Sequence, residues 1–465
     1  MADAFEASSK LFRGFLSGVQ RPRHHLDGLL DRIERTDSKL HAFVAVYAEA
    51  ARAVADAAEA SFKNGYSIGP MTGVPFALKD IVDVAGQVTA GGSAAMADRV
   101  PTQTAVIGDR LLGAGGVLVG KTHTVEVAMG GWGTNQRLGA PWNPWDLTTA
   151  RTPGGSSSGS GVAVAAGLVP FAIGTDTGGS VRLPAAWNGI VGLKITEGVV
   201  PTDGIIPLSH TLDTPGPMAR SVEDCALGFE ILRGVEPRKV LGDLLDRQGV
   251  FGELTRGMAG LVLGAMPDSE RVGVDPEVLD AYDQSLADFA ARGAVIKPVD
   301  LPRAFDSYKD RSGVITAAEA YFYHGRLFED GNAAVDEDVR PRILHGRDLS
   351  AQSYLGALHG RLDDQAAFLK SIAGVDAILT PTIATAAEPI DGVDQGSTPA
   401  RFTRAGNYLG LCGVSVPNGR TTSGLPTSLQ ILGRGHAEPL VLRIAADLER
   451  AAGGRFPNPD LSTLV

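Results

Sequence analysis

From Gly69-Pro70 onward the chain is built of short, wholly apolar runs punctuated by glycine, at residues 74–78, 116–119, 169–173 and 190–193. A strand with one wet face alternates apolar and polar residues, so a run that is apolar at every position has both faces buried. Between these runs lie stretches with helical spacing, at 106–114, 158–166 and 222–232. The alternation predicts an α/β fold in which a sheet is covered by helices on both faces. The pattern does not give strand order.

The flanks fit the same core. Over residues 4–64 apolar positions recur every three or four residues, as at Leu26, Leu29, Leu30 and Ile33, which predicts two or three amphipathic helices in an amino-terminal region of about 1–66. A more polar segment, about 234–373, reads as a helical elaboration with helices at 276–292 and 352–373 and one strand at 294–299. The strand pattern returns at 377–380, 414–417 and 428–432, before a closing helix at 439–452. With apolar strand runs at both ends and no repeat or low-complexity linker, residues 1–465 read as one domain.

A net charge of −11 argues against a broad basic surface for nucleic acid or anionic membrane. The two cysteines, Cys225 and Cys412, lie in apolar stretches and read as small core residues. Residues 1–16 lack the apolar block of a secretory signal, and the longest nearly apolar run, 161–174, is too short to span a bilayer. A cytoplasmic enzyme without a membrane helix is expected. The nine histidines offer no H-E-x-x-H, His24-His25 reads as surface, and neither metal nor cofactor is expected.

Three glycine-rich motifs compete for the chemistry. Residues 115–122 satisfy G-x-x-x-x-G-K-[ST], yet a helix ends before them and 117–119 look like a strand, the reverse of a phosphate loop around Lys121. Residues 155–159 fit G-x-S-x-G, but an elbow needs an apolar strand before it and 143–153 is polar and broken by proline. The third is the longer pair of blocks at 153–161 and 174–184, joined by a small-residue apolar helix and a strand. A flexible linker stays polar, so serines and glycines that run directly into a core have another role.

This pair resembles the amidase signature family, whose glycine- and serine-rich block ends in the Gly-Gly-Ser-x-Arg-x-Pro found at 178–184. The likeness extends to 73–80, to 120–122, which explains the false phosphate motif, and to later blocks at 212–224, 376–382 and 424–426. It implies a single large mixed sheet and an amidohydrolase without cofactor. It also implies a relay in which Ser180 is the nucleophile, Ser156 a bridging serine on a cis peptide and Lys79 the base. The resemblance and the two glycines together place the oxyanion hole at the N–H groups of Thr177, Gly178, Gly179 and Ser180, while Ser157, Asp176 and Arg182 match supporting positions. Serine stands at 158, where the family more often has glycine, and is expected to cap the helix it begins.

A lysine can act as a base only when its ammonium form is disfavoured. Lys79 ends an apolar run, so burial is expected to keep its amine neutral, whereas Asp80, on the opposite side of the strand, reads as structural. Met129, Gly130, Gly131 and Trp132 lie where the family places part of its substrate wall, and Met129 and Trp132 point to an apolar or aromatic acyl pocket. Residues 321–324 and 382–386 are expected to line the remainder. The family implies a small-molecule amide or carbamate substrate. Its alternative is the glutamine-hydrolysing subunit of a transfer-RNA amidotransferase, whose usual pattern residues 404–409 match poorly. A homodimer is left open, since no patch marks an interface.

Overall fold

Among the described residues eleven strands form one mixed sheet: β1 (Phe43–Val46), β2 (Pro75–Lys79), β3 (Val117–Thr122), β4 (Phe171–Asp176), β5 (Val191–Lys194), β6 (Thr214–Ala219), β7 (Val262–Ala265), β8 (Val295–Pro298), β9 (Ala377–Pro381), β10 (Cys412–Arg420) and β11 (Pro426–Gly433). Their order is β1-β3-β2-β4-β6-β5-β10-β11-β9-β7-β8. The chain is thus α/β with a single large sheet. The computed structural model describes residues 4–453 and 456–464, so residues 1–3, 454–455 and 465 of the expected domain lie outside it.

Both faces of the central strands are buried, as their apolar runs require. Phe76 and Leu78 of β2, with Phe171 and Ile173 of β4, enter the larger hydrophobic core, whereas Ala77 and Ala172 between them enter a second core. That second core also takes in Val162 to Ala166, the end of the helix Ser158–Ala165 and the residue after it. A helix that small in its side chains packs close to the sheet, which brings the 153–161 block against the ends of β2 and β4.

Several elements escape the sequence pattern, the longest being the helix Phe305–Glu329. β1, within the helical amino-terminal region, pairs antiparallel with β3 at the sheet edge. β6 carries Pro215 and Pro217 yet sits between β4 and β5. The two prolines alternate, so both missing N–H groups fall on one edge, and β5 pairs with that strand only at Met218 and Ala219. The 234–373 segment holds the expected strand as β8 and a second, unexpected one, β7, which runs parallel to both β8 and β9. The helix Thr403–Tyr408 is six residues long, too short to show a period. His25 is a further correction: it is buried against Phe15, with only its neighbour His24 exposed.

Candidate active site

β2, β3 and β4 run parallel, and their carboxyl ends bring Lys79, Lys121 and Asp176 to one end of the sheet. Ligands of α/β sheets bind at such ends. Lys79 is fully buried, with its Nζ 2.7 Å from Ser156 Oγ and 2.9 Å from Thr175 Oγ1. Burial lowers its pKa to about 7, although Asp213 and Asp176 pull the other way. A substantial share of the amine is therefore neutral at pH 7.

Ser156 is buried, and the Gly155–Ser156 peptide bond is cis. Its carbonyl accepts from the Thr124 hydroxyl at 3.0 Å and from the Val125 N–H at 3.2 Å. Ser157 ties the two blocks together: its N–H donates to the Ser180 carbonyl at 3.3 Å, and its hydroxyl accepts from the Thr175 N–H at 3.2 Å. Ser180 stands at the edge of the buried interior, 9% exposed, and borders a cavity of about 800 Å³. Lys79 and Ser156 are sealed from solvent, whereas Ser180 reaches the cavity.

Asp176 shapes the turn that presents Ser180. Its carboxylate accepts from the N–H groups of Gly179 at 2.7 Å and Val181 at 3.2 Å, and from Arg182 at 2.8 and 2.9 Å. Gly179 has a φ of +131°, and a Cβ there would overlap the Thr403 side chain, so glycine is required. This arrangement corrects one expectation. The Gly179 N–H is already bound to Asp176, whereas Thr177, Gly178 and Ser180 border the cavity. Arg182 is fully buried and makes no contact with the cavity, so it anchors the loop. The Ser158 hydroxyl does not cap its helix and has no partner.

The cavity wall departs furthest from expectation. Met129, Gly130 and Gly131 line it, but Trp132 lies behind them, stacked on Trp187 with ring centroids 5.7 Å apart and its Nε1 donating to the carbonyls of Asp394 and Ser397. Neither 321–324 nor 382–386 reaches the wall: His324 bonds the Pro207 carbonyl at 2.7 Å and Thr382 bonds Ser415 at 3.1 Å. The wall is instead completed by charged residues, Lys309 and Asp310 from the helix Phe305–Glu329, Arg342 from the helix Arg340–Leu344, and Arg404. It is therefore not an apolar slot.

Thr175, Asp213 and Asn407 were not singled out from the sequence. Asp213 is half-buried near Lys79 and accepts from the Thr177 hydroxyl at 2.5 Å, while Asn407 donates to Asp176 at 3.0 Å. Asp213 and Asn407 lie 33 or more residues from the loops they serve, so no local pattern marks them.

Lys121 is sealed in β3, its Nζ 3.0 Å from Asp80 Oδ1 and 2.9 Å from Thr89 Oγ1. The motif around it is a strand and a buried ion pair, not a phosphate loop. Addition of magnesium-ATP is expected to leave the melting temperature unchanged in a thermal-shift measurement; a concentration-dependent rise would overturn this reading.

The model of the Amidase family matches residues 25–442. The chain belongs to the amidase family. It is 35% identical to a glutamyl-tRNA(Gln) amidotransferase component from Chromohalobacter salexigens, over 97% of each chain. It is 34% identical to a 2-amino-5-chloromuconic acid deaminase from Comamonas testosteroni, over 90% of each. Among solved structures, the native peptide amidase of Stenotrophomonas maltophilia superposes with a TM-score of 0.84 at 27% identity, covering 98% of both chains. This amidase is a hydrolase of amide carbon–nitrogen bonds. Among its described residues no helix is long and apolar enough to cross a membrane.

Proposed function

We propose that the amidase hydrolyses a small-molecule amide in the cytoplasm through an acyl-enzyme on Ser180, with Ser156 and Lys79 as its proton relay. The observation that carries this reading is the buried Lys79 amine, 2.7 Å from Ser156 and held near a pKa of 7. The neutral amine takes a proton from Ser156 as Ser156 takes one from Ser180, and the Ser180 oxygen attacks the amide carbon. The N–H groups of Thr177, Gly178 and Ser180 stabilise the oxyanion. Return of the proton through Ser156 to the nitrogen expels ammonia or an amine and leaves an ester on Ser180. Water then attacks that ester with the same relay as base, and carboxylic acid leaves.

The test is a panel of amides, glutamine and carbamates with the purified chain, alongside labelling by a fluorophosphonate. Turnover and a single covalent adduct at Ser180 are expected, both lost in Ser180→Ala. An adduct elsewhere, or turnover that survives Ser180→Ala, would exclude the mechanism. A second reading, the glutamine-hydrolysing subunit of a transfer-RNA amidotransferase, is favoured by the 35% identity to a component of such an enzyme. It predicts turnover of glutamine alone and copurification of partner proteins. The deaminase relative, named for a small acid, supports the first reading.

A further inference from the structure

The charged wall of the cavity is uneven in one respect. Lys309 turns its Nζ to Asp306 at 2.7 Å, and Arg342 commits its two terminal nitrogens to the backbone of Met129 and Gln395. Arg401, three residues before Arg404, pairs with Glu270 at 2.9 Å. Arg404 itself makes one hydrogen bond, from Nη1 to the Lys309 carbonyl at 3.2 Å, and no ion pair among the described residues. A guanidinium carries five N–H donors, so four are left without a protein acceptor beside the cavity.

Its position ties it to the reacting centre. A Cβ built on Gly178 would lie 3.0 Å from Arg404 Cγ and 3.3 Å from its Nε, so the side chain runs along the loop that carries Ser180. Three carboxylates also border the cavity, Asp310, Glu337 and Asp338, the last accepting from the Gln136 amide at 2.8 Å. Asp310, 76% exposed at its side chain, has its ion contact with Lys309 at 4.0 Å, and Glu337 is paired with Arg340 at 2.8 Å. Desolvation lowers the Arg404 pKa to about 10, Asp310 opposing and Arg342 adding to the effect, so the group remains cationic at neutral pH. A half-buried cation with open donors is costly unless an anion completes it.

On the hydrolase reading above, we propose that Arg404 binds a carboxylate on the acyl portion of the substrate, which makes the substrate class the monoamides of dicarboxylic acids. Guanidinium and carboxylate match as a two-pronged pair, which fixes the acyl chain in orientation as well as adding affinity. The carboxylate would anchor one end of the chain while the amide carbon at the other lies against Ser180.

The experiment compares succinamate with butyramide and glutaramate with valeramide, pairs that differ by the distal carboxylate, in the wild type, Arg404→Met and Arg404→Lys. The wild type is expected to prefer the anionic member. Arg404→Met should cut that preference about 10- to 100-fold, chiefly through KM, and Arg404→Lys should recover part of it. Equal kcat/KM within both pairs, or a preference that Arg404→Met leaves intact, would overturn the proposal while the hydrolase reading stands. If Ser180 is labelled by the fluorophosphonate but none of the four amides turns over, protection of that labelling decides the matter. Stronger protection by glutaramate than by valeramide, lost in Arg404→Met, supports the proposal, and equal protection overturns it. A chain that neither labels at Ser180 nor turns over any amide brings down the hydrolase reading, and this inference with it.

Discussion

Lys79→Met is expected to lower kcat/KM by about 10³-fold or more without lowering the melting temperature at pH 7. The loss of rate follows from geometry, since among the described residues Nζ is the one basic side-chain group within hydrogen-bond reach of Ser156 Oγ. The stability result follows from burial. The lysine pKa falls from 10.5 in the unfolded chain to about 7 in the fold, a difference that corresponds to about 5 kcal/mol against the folded state at neutral pH. Between those two values the unfolded chain holds a proton that the folded chain lacks. Wild-type stability should therefore rise as the pH climbs from about 7 to 10.5, and be insensitive to this group below 7. Methionine keeps the apolar stem and removes the amine, against a smaller loss at Ser156 and Thr175 of about 1–3 kcal/mol. The same pKa sets the acid limb of the rate profile: kcat/KM should increase with pH through an apparent pKa near 7 and then level. A flat profile between pH 6 and 9, or a variant that melts well below the wild type, would exclude a neutral buried lysine as the base.

The legible parts of this chain are those whose physics is local. β2 and β4 could be read because a run buried on both faces is apolar at each position, and the helix Ser158–Ala165 because small apolar residues follow the serine block without a break. β6 could not be read, since two prolines in six residues normally exclude an inner strand, and only the near-absence of a partner on one edge admits them. In the site, the proposed relay residues are legible through motif resemblance, and the low pKa of Lys79 through the apolar run that precedes it. The wall is not. Trp132 reads as pocket because it lies where the family places part of its substrate wall, but its stacking partner Trp187 is 55 residues away and invisible in the local pattern. Arg404 and Lys309 meet the cavity only because the helices that carry them pack together, which no periodicity announces.

Arg182→Met is expected to destabilise the fold by about 3–5 kcal/mol, because it strands a buried carboxylate. Arg182 and Asp176 are both fully buried and joined by two hydrogen bonds, at 2.8 and 2.9 Å. The guanidinium also donates to the Thr403 carbonyl at 2.8 Å, to Gln430 at 2.7 Å and to Asn407 at 2.6 Å. Burial alone would raise the Asp176 pKa, yet Arg182, with help from Lys194 and Asn407, holds it at about 2. A depressed carboxylate adds stability that is present above its unfolded value of 3.8 and is lost as the pH falls through about 2. Without Arg182 the burial effect dominates and the pKa climbs above the unfolded value, so the sign reverses. The variant should then be weakest relative to the wild type near neutrality, and the gap should narrow as acid protonates Asp176. Asp176→Asn in the Arg182→Met background removes the stranded charge, so the double variant should be more stable than Arg182→Met alone. Denaturant melts of the wild type and both variants at pH 5 and pH 7.5 give the comparison directly. A double variant no better than the single one, or a gap that widens in acid, would mean that the carboxylate is not what the arginine holds in place. Activity should fall further than the folded fraction in both variants, because the same carboxylate fixes the N–H groups of Gly179 and Val181 on either side of Ser180.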